Sequence, residues 1–160
     1  MPLGFLAAAA VLLLARPTWP GWWAGLAVAL VGEGVRVWAA GHLEKGREVT
    51  RSGPYRWTRH PLYVGSSLVG AGVAVAGASL PAAAAIVLYL AATLRAAVRT
   101  EEAVLRERFG DAYDAYAERR AAPMARGFSL ARARRNREHR TLAGLALGFG
   151  LLALKVLLSL

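Results

Sequence analysis

The sequence predicts an all-α protein, an integral-membrane bundle of about five transmembrane helices. Three observations predict it. Five apolar runs divide the 160 residues. The chain is 56% hydrophobic and yet carries a formal net charge of +10, a pairing that arises when apolar spans and basic loops are separate parts of one chain. The cations collect between the runs: of 20 Lys and Arg, 5 lie in residues 41–61 and 11 in residues 99–140. The length suits one domain. Within 1–160, residues 1–40 read as an N-terminal helical hairpin and 41–120 as a core with a second hairpin. Residues 121–140 read as a basic interfacial segment and 141–160 as a C-terminal transmembrane helix.

The first run, Leu3 to Ala15, is short for a hydrocarbon core of ~30 Å at about 1.5 Å per residue. No cation precedes it, and Ala15-Arg16-Pro17 makes a poor signal-peptide exit. It predicts a short or tilted first span. Trp19, Pro20, Trp22 and Trp23 then form an interfacial aromatic group. The second run, Trp22 to Ala40, is interrupted by Glu33 and Arg36. The third, Leu62 to Leu80, starts behind Pro61, a residue suited to a first helical turn. Ser79-Leu80-Pro81 reads as a tight turn into the fourth run, Ala82 to Val98, which only Arg95 breaks. The fifth, Leu142 to Leu160, carries Lys155 near its end.

If spans two and four run from outside to inside, both basic stretches lie in the cytoplasm with the N-terminus. An Ala-, Arg- and Gly-rich composition suggests a bacterial source, hence the bacterial cytoplasmic membrane. Nucleic-acid binding is the other reading of a high positive charge. The loop placement of the cations suits anionic headgroups better, so no nucleic-acid partner is expected. There are no cysteines, which excludes disulfides, thiolate metal sites and a cysteine nucleophile. No metal site is expected. Gly32-Glu33-Gly34 and Gly70-Ala71-Gly72 lie inside apolar helices with no strand before them, so they read as helix contacts rather than dinucleotide loops. The basic 121–140 segment reads as a helix lying on anionic headgroups.

Four polar features remain. Glu33 and Arg36, one turn apart, read as a mutually neutralising pair. The fourth run continues as "LRAAVRTEEAVLRERFGDAYDAYAERR" with helical period. Leu90, Leu94, Val98, Glu101, Leu105 and Phe109 share one stripe, and Arg95, Arg99, Glu102 and Arg106 another. Glu102 sits among cations, where helix ion pairing explains it. Glu101 stands on the apolar stripe, where a carboxylate needs a compensator: an internal arginine, or a cationic or hydroxyl-rich ligand. Finally, "GPYRWTRHPLYVG" places His60 at the mouth of the third run with Tyr63 three residues on. Together with the free N–H groups of a helix start, this suits a pocket for an anion and an adenine.

"SGPYRWTRHPLYVG", an apolar hairpin and "EEAVLRERFGDAYDAYAERR" follow in the order GPY-x-x-x-RHP-x-Y-x-G, then EE-x-x-L-x-x-x-FG-x-x-Y-x-x-Y. Over about residues 32–120 the chain closely resembles the isoprenylcysteine carboxyl methyltransferase and phospholipid N-methyltransferase superfamily. The resemblance implies an S-adenosyl-L-methionine-dependent methyltransferase with a cytoplasmic cofactor pocket open to the bilayer. It implies cofactor contacts at Arg47, Glu48, Val49, Thr50, Tyr55, His60, Pro61, Leu62 and Tyr63. Glu101 is the implied carboxylate at the cofactor, with Glu102 beside it as the weaker candidate, and Glu101 and His60 are the implied catalytic pair. The isoprenylcysteine enzymes also hold a substrate carboxylate with an arginine on this helix; Arg95 and Arg99 are the candidates here, at a different spacing.

The expected acceptor is a lipophilic small molecule or lipid: an isoprenoid or prenylcysteine-like carboxylate, a phospholipid amine, or another small hydrophobic molecule. Methyl transfer from a sulfonium is an in-line displacement that needs alignment and desolvation more than a metal. Two alternatives stand beside it. One is an NADPH-dependent isoprenoid or sterol reductase relative, whose chains are much longer. The other is a small transporter or structural membrane protein, which would use Glu33 and Arg36 as a pathway pair but leaves the Gly53–Gly65 cluster unexplained.

Overall fold

The computed structural model describes residues 2–158, with side chains from Gly4 onward. Met1 and the last two residues of the fifth apolar run lie outside the described residues. The described chain is all-helical: α1 (Pro2–Leu14), α2 (Trp19–His42), α3 (Pro61–Gly77), α4 (Leu80–Phe109), α5 (Asp111–Ala117), α6 (Leu130–Arg135) and α7 (Glu138–Leu158), with a 3-10 turn at Gly53–Arg56. The helix starts follow local chemistry. Thr18 caps α2 and Ser79 caps α4, each side chain accepting from a backbone N–H three residues on, with proline in the first turn. Gly110, at φ +46, ends α4.

Three helices, α2, α4 and α7, are long and apolar enough to cross a membrane. The other two predicted spans are short: α1 has 13 residues and α3 has 17, or about 20 and 25 Å. The outer faces carry Phe5, Leu13, Val31, Leu80, Leu88, Leu147 and Leu158, all exposed. In water such a surface would drive association; against hydrocarbon it costs nothing.

The closest helix pair is α2 with α3, and glycine makes it possible. A Cβ on Gly72 would lie 2.5 Å from the Gly25 carbonyl oxygen, and one on Gly32 2.7 Å from that of Gly65. This is the small-residue contact that both GxG pairs predicted; Gly34 alone of the four has open space. Gly72→Ala is therefore expected to lower the melting temperature in detergent, by about 1–3 kcal/mol of overpacking. Gly34→Ala should leave it unchanged or raise it, since alanine is the better helix former. Equal effects at the two positions would contradict this reading of the crossing.

Around the N-terminal half of α2, Ala15, Ala29, Ala76, Phe149 and Leu152 form the buried core. Trp22, from the predicted aromatic group, is drawn into it: its Nε1 donates to the Phe149 carbonyl at 2.9 Å. Lys155, the odd cation of the fifth run, donates to the Leu12 and Leu13 carbonyls at 2.6 and 3.1 Å. It thereby satisfies the C-terminal end of α1.

One expectation changes and another gains detail. Glu33 and Arg36 do meet, at 3.6 Å. The main partner of Arg36, however, is Glu138 in the first turn of α7, with Nη2 at 3.0 Å from both carboxylate oxygens. The same guanidinium donates to Thr141, to Ser66 and to the Leu62 carbonyl, so Arg36 ties α2, α3 and α7 together. Sequence spacing favoured the near partner because it carries no information on α7. The basic segment also folds inward. Arg126 pairs with Glu48, Arg132 Nε donates to Glu44 at 2.8 Å, and Asn136 donates to the Ala40 and Leu43 carbonyls. The segment is thus a strap that closes over the loop following α2.

Candidate functional site

The loop from Leu43 to His60 is shaped by buried polar contacts. His42 Nδ1 lies 3.1 Å from the Ser52 hydroxyl, and Ser52 is fully buried. Gly53 has φ +54, and a Cβ there would stand 2.5 Å from the His42 ring. Only glycine makes that turn at that distance. Tyr55 follows, buried, with its carbonyl accepting from the Tyr116 hydroxyl at 2.8 Å. Burial pushes the Tyr55 hydroxyl pKa well up. The turn delivers His60 to the N-cap of α3, with Pro61 fully buried behind it.

His60 faces α4. Its ring stacks on Tyr63, at 5.5 Å between centroids and 18° between planes. Its Nε2 is 3.0 Å from Glu102 Oε1, and its Nδ1 is 3.8 Å from Glu101 Oε2. That Nδ1 is buried and has no hydrogen-bond partner. The Tyr63 hydroxyl donates to Glu101 at 2.7 Å. Tyr63 is therefore the hydroxyl that compensates Glu101, a question the helical stripe left open.

The two glutamates have different surroundings. Glu102, read as ion-paired on its helix, does meet Arg106 at 3.5 Å, and is held as well by Arg59 at 3.0 Å and by His60. Its side chain is only 16% exposed against 40% for Glu101. The helical period was right, but it could not show that Arg59 and His60 arrive from another segment to cover the polar stripe. Glu102 thus anchors the cluster, and Glu101 keeps its free side open.

The two carboxylates, Glu101 first and then Glu102, raise the His60 pKa against the opposing cost of burial. The sign is definite. A raised pKa means that the protonated ring stabilises the fold fully below the unfolded value of about 6.5, and that this contribution fades as pH climbs through the higher folded value. In detergent, the melting temperature of the native chain should exceed that of His60→Gln at acid and neutral pH, and the gap should close in alkali. A gap that does not change with pH would show that His60 is not held protonated.

A second group of predicted residues lines a cavity of about 420 Å³ (Arg47, Glu48 and Val49, with Arg51, Phe109 and Met124 among its walls). Thr50 is buried beside it, its hydroxyl accepting from the Glu44 N–H at 3.2 Å. Arg51 Nε is buried without a hydrogen-bond partner. The two groups are joined by α4. Glu101 and Phe109 lie on one stripe eight residues apart, about 12 Å along the helix. Leu62 contributes mainly its carbonyl, which accepts from Arg36 and from Ser66. Arg95 and Arg99 are exposed on α4 and join neither group.

Sequence reasoning missed Arg51, Arg126 and Met124, which meet the site only through loop and strap folding; Arg59 was legible as a cation beside His60, but not its partner Glu102. Tyr113 and Tyr116 were visible as the spaced tyrosines after Phe109-Gly110, but without a role. Among the described residues no group of three or more His, Asp or Glu is arranged to hold a metal ion.

Residues 22–112 match the phospholipid methyltransferase family, a stretch that holds the α2–α3 crossing, His60, Tyr63, Glu101, Glu102 and Phe109. The chain is similar to the nickel-cobalt-cadmium resistance protein NccN of Alcaligenes xylosoxydans xylosoxydans, 34% identical over 100 residues, or 61% of this chain and 45% of that one. It is also similar to the cobalt-zinc-cadmium resistance protein CzcN of Cupriavidus metallidurans, 33% identical over 125 residues, or 71% of this chain and 56% of that one. The chain spans about half the length of these curated relatives. No solved structure matches it. With more than half of its length, including every residue of the His60–Glu101 cluster, inside the matched region, the chain belongs to the phospholipid methyltransferase family.

Proposed function

We propose that the protein is an integral-membrane methyltransferase that uses S-adenosyl-L-methionine and acts on a lipophilic acceptor. One observation carries the reading: a single stripe of α4 brings the Tyr63–Glu101–His60 cluster and the loop cavity into one line.

The residues fit the cofactor. The cavity pairs the Phe109 ring and apolar walls with the unpartnered Arg51 Nε, which suits an adenine and a carboxylate. Glu101, held by Tyr63 with its other side open, suits the ammonium or sulfonium charge. His60 Nδ1, buried and 3.8 Å from Glu101, makes no hydrogen bond within the chain. When bound, the cofactor supplies an electrophilic methyl carbon. The chain's own part is positioning and water exclusion: Glu102 with Arg59 fixes the His60 ring, Tyr63 fixes Glu101, and the 121–140 strap closes the loop.

On this reading residues 1–160 act as one unit with 41–120 as its core. The basic loops, the cofactor pocket and the N-terminus face the cytoplasm of a bacterial cell, as the distribution of cations favours. Titration of the purified chain in lipid nanodiscs with S-adenosyl-L-methionine or S-adenosylhomocysteine should show saturable heat. No heat in nanodiscs or in several detergents, from protein that unfolds cooperatively, would sink the proposal.

A further inference from the structure

A second cavity, of about 320 Å³, lies between α1, α3 and α4. Its walls include Ala7, Val11, Val69, Gly70, Ile86 and Leu90. Ala8 and Tyr89 stand at the surface where it opens. Its polar end is formed by Arg36, Ser66 and Thr141. That end adjoins the first turn of α3, because Arg36 and Ser66 both donate to the Leu62 carbonyl, next to Tyr63. The cavity is thus an apolar slot with one polar end at the Leu62 carbonyl, one residue before Tyr63 in the first turn of α3.

The charge at that end is selective. Both Nη groups of Arg36 are committed within the fold, and its buried Nε, which makes no hydrogen bond, is turned to Glu33 at 3.6 Å. Nη1 serves Ser66 and the Leu62 carbonyl, and Nη2 serves Glu138 and Thr141. Glu33 and Glu138 are both buried, so two acidic side chains stand behind one guanidinium. Neither Glu33 oxygen has a hydrogen-bond partner. An anionic head would have to displace Glu138 and face Glu33 in a low-dielectric setting. A head that donates hydrogen bonds would meet the acceptor lone pairs of Thr141 and Ser66 instead. The volume is at the lower end of the range of about 300–1,000 Å³ for small-molecule sites, and the phosphate of a phospholipid would meet the same two acidic side chains as a carboxylate.

We infer that this slot holds the methyl acceptor, and that the acceptor is a compact single-chain lipophile whose head donates hydrogen bonds, a hydroxyl or an amine, rather than a carboxylate or a diacyl phospholipid. The inference rests on the methyltransferase reading. In the transfer, the head's oxygen or nitrogen lone pair forms the new bond to the methyl carbon, the carbon–sulfur bond of the sulfonium donor breaks, and the head's proton leaves to solvent.

The test uses the full chain in detergent with geraniol, geranylamine and geranic acid, which share one apolar chain, and with a short-chain phosphatidylethanolamine. Geraniol or geranylamine should raise the melting temperature by several degrees, and which of the two does so identifies the head. Geranic acid and the phospholipid should not. Ala7→Phe and Ala85→Phe, on two different helices, fill the slot and should remove the shift while leaving the shift produced by S-adenosylhomocysteine. A shift with geranic acid or the phospholipid as large as with geraniol, a shift with none of the four, or a shift that survives in both filled variants would overturn the inference. Loss of the S-adenosylhomocysteine shift in the native chain would overturn the methyltransferase reading instead.

Discussion

Glu101→Gln is expected to weaken S-adenosyl-L-methionine binding roughly 10- to 150-fold while leaving the fold intact. The magnitude is that of a hydrogen bond to a charged group, about 1.5–3 kcal/mol. The side chain keeps its shape and can still accept from Tyr63, so little packing is lost. What disappears is the negative charge on the open side of the cluster. Glu102→Gln should behave differently. Glu102 is the shared partner of His60, Arg59 and Arg106, so its loss removes the anion that joins them and leaves His60 with Glu101 and Arg106 with Asp114. The melting temperature should fall, and binding should weaken as His60 loses its orientation. Calorimetry and thermal unfolding on both variants separate the roles. If Glu101→Gln bound the cofactor normally while Glu102→Gln folded normally and did not bind, the assignment of the open and anchoring carboxylates would be reversed.

Arg36→Met is expected to cost about 3–5 kcal/mol, the scale for removing one partner of a buried ion pair. Glu33 and Glu138 are 2% and 5% exposed, and both would be left buried without a countercharge. The guanidinium also joins three helices, so the loss should loosen α7 from the α2–α3 pair. The expected signs are a fall in melting temperature and a broadened profile in size-exclusion chromatography. Adding Glu33→Met and Glu138→Leu to Arg36→Met should recover most of the loss, since a well-packed apolar replacement of a buried charge cluster is often neutral or stabilising. A single Arg36→Met variant as stable as the native chain would remove this cluster from the account of the fold.

Some of this architecture was legible from residue order. The five apolar runs, Pro61 and Pro81 at helix starts, and the glycines of the α2–α3 contact all depend on local period and backbone freedom, which act within a few residues. His60 and Tyr63 as neighbours, and Glu101 as an out-of-place carboxylate, followed from helical spacing in the same way. The partners of Arg36 and Glu102 were not legible. Each had a near neighbour in sequence that satisfied the charge on paper, and the true partner came from α7 or from the loop before α3.

By itself the sequence determined the helical class, the membrane setting and the family, because apolar periodicity, charge segregation and motif order are properties of the chain. Tertiary structure alone decided that Tyr63 compensates Glu101, that Arg59 and His60 bury Glu102, that Glu138 rather than Glu33 is the main partner of Arg36, and that the basic 121–140 segment is a strap. Those outcomes depend on which distant segments come within about 4 Å of one another, the distance at which buried charges choose their partners. Spacing along the chain does not encode that distance.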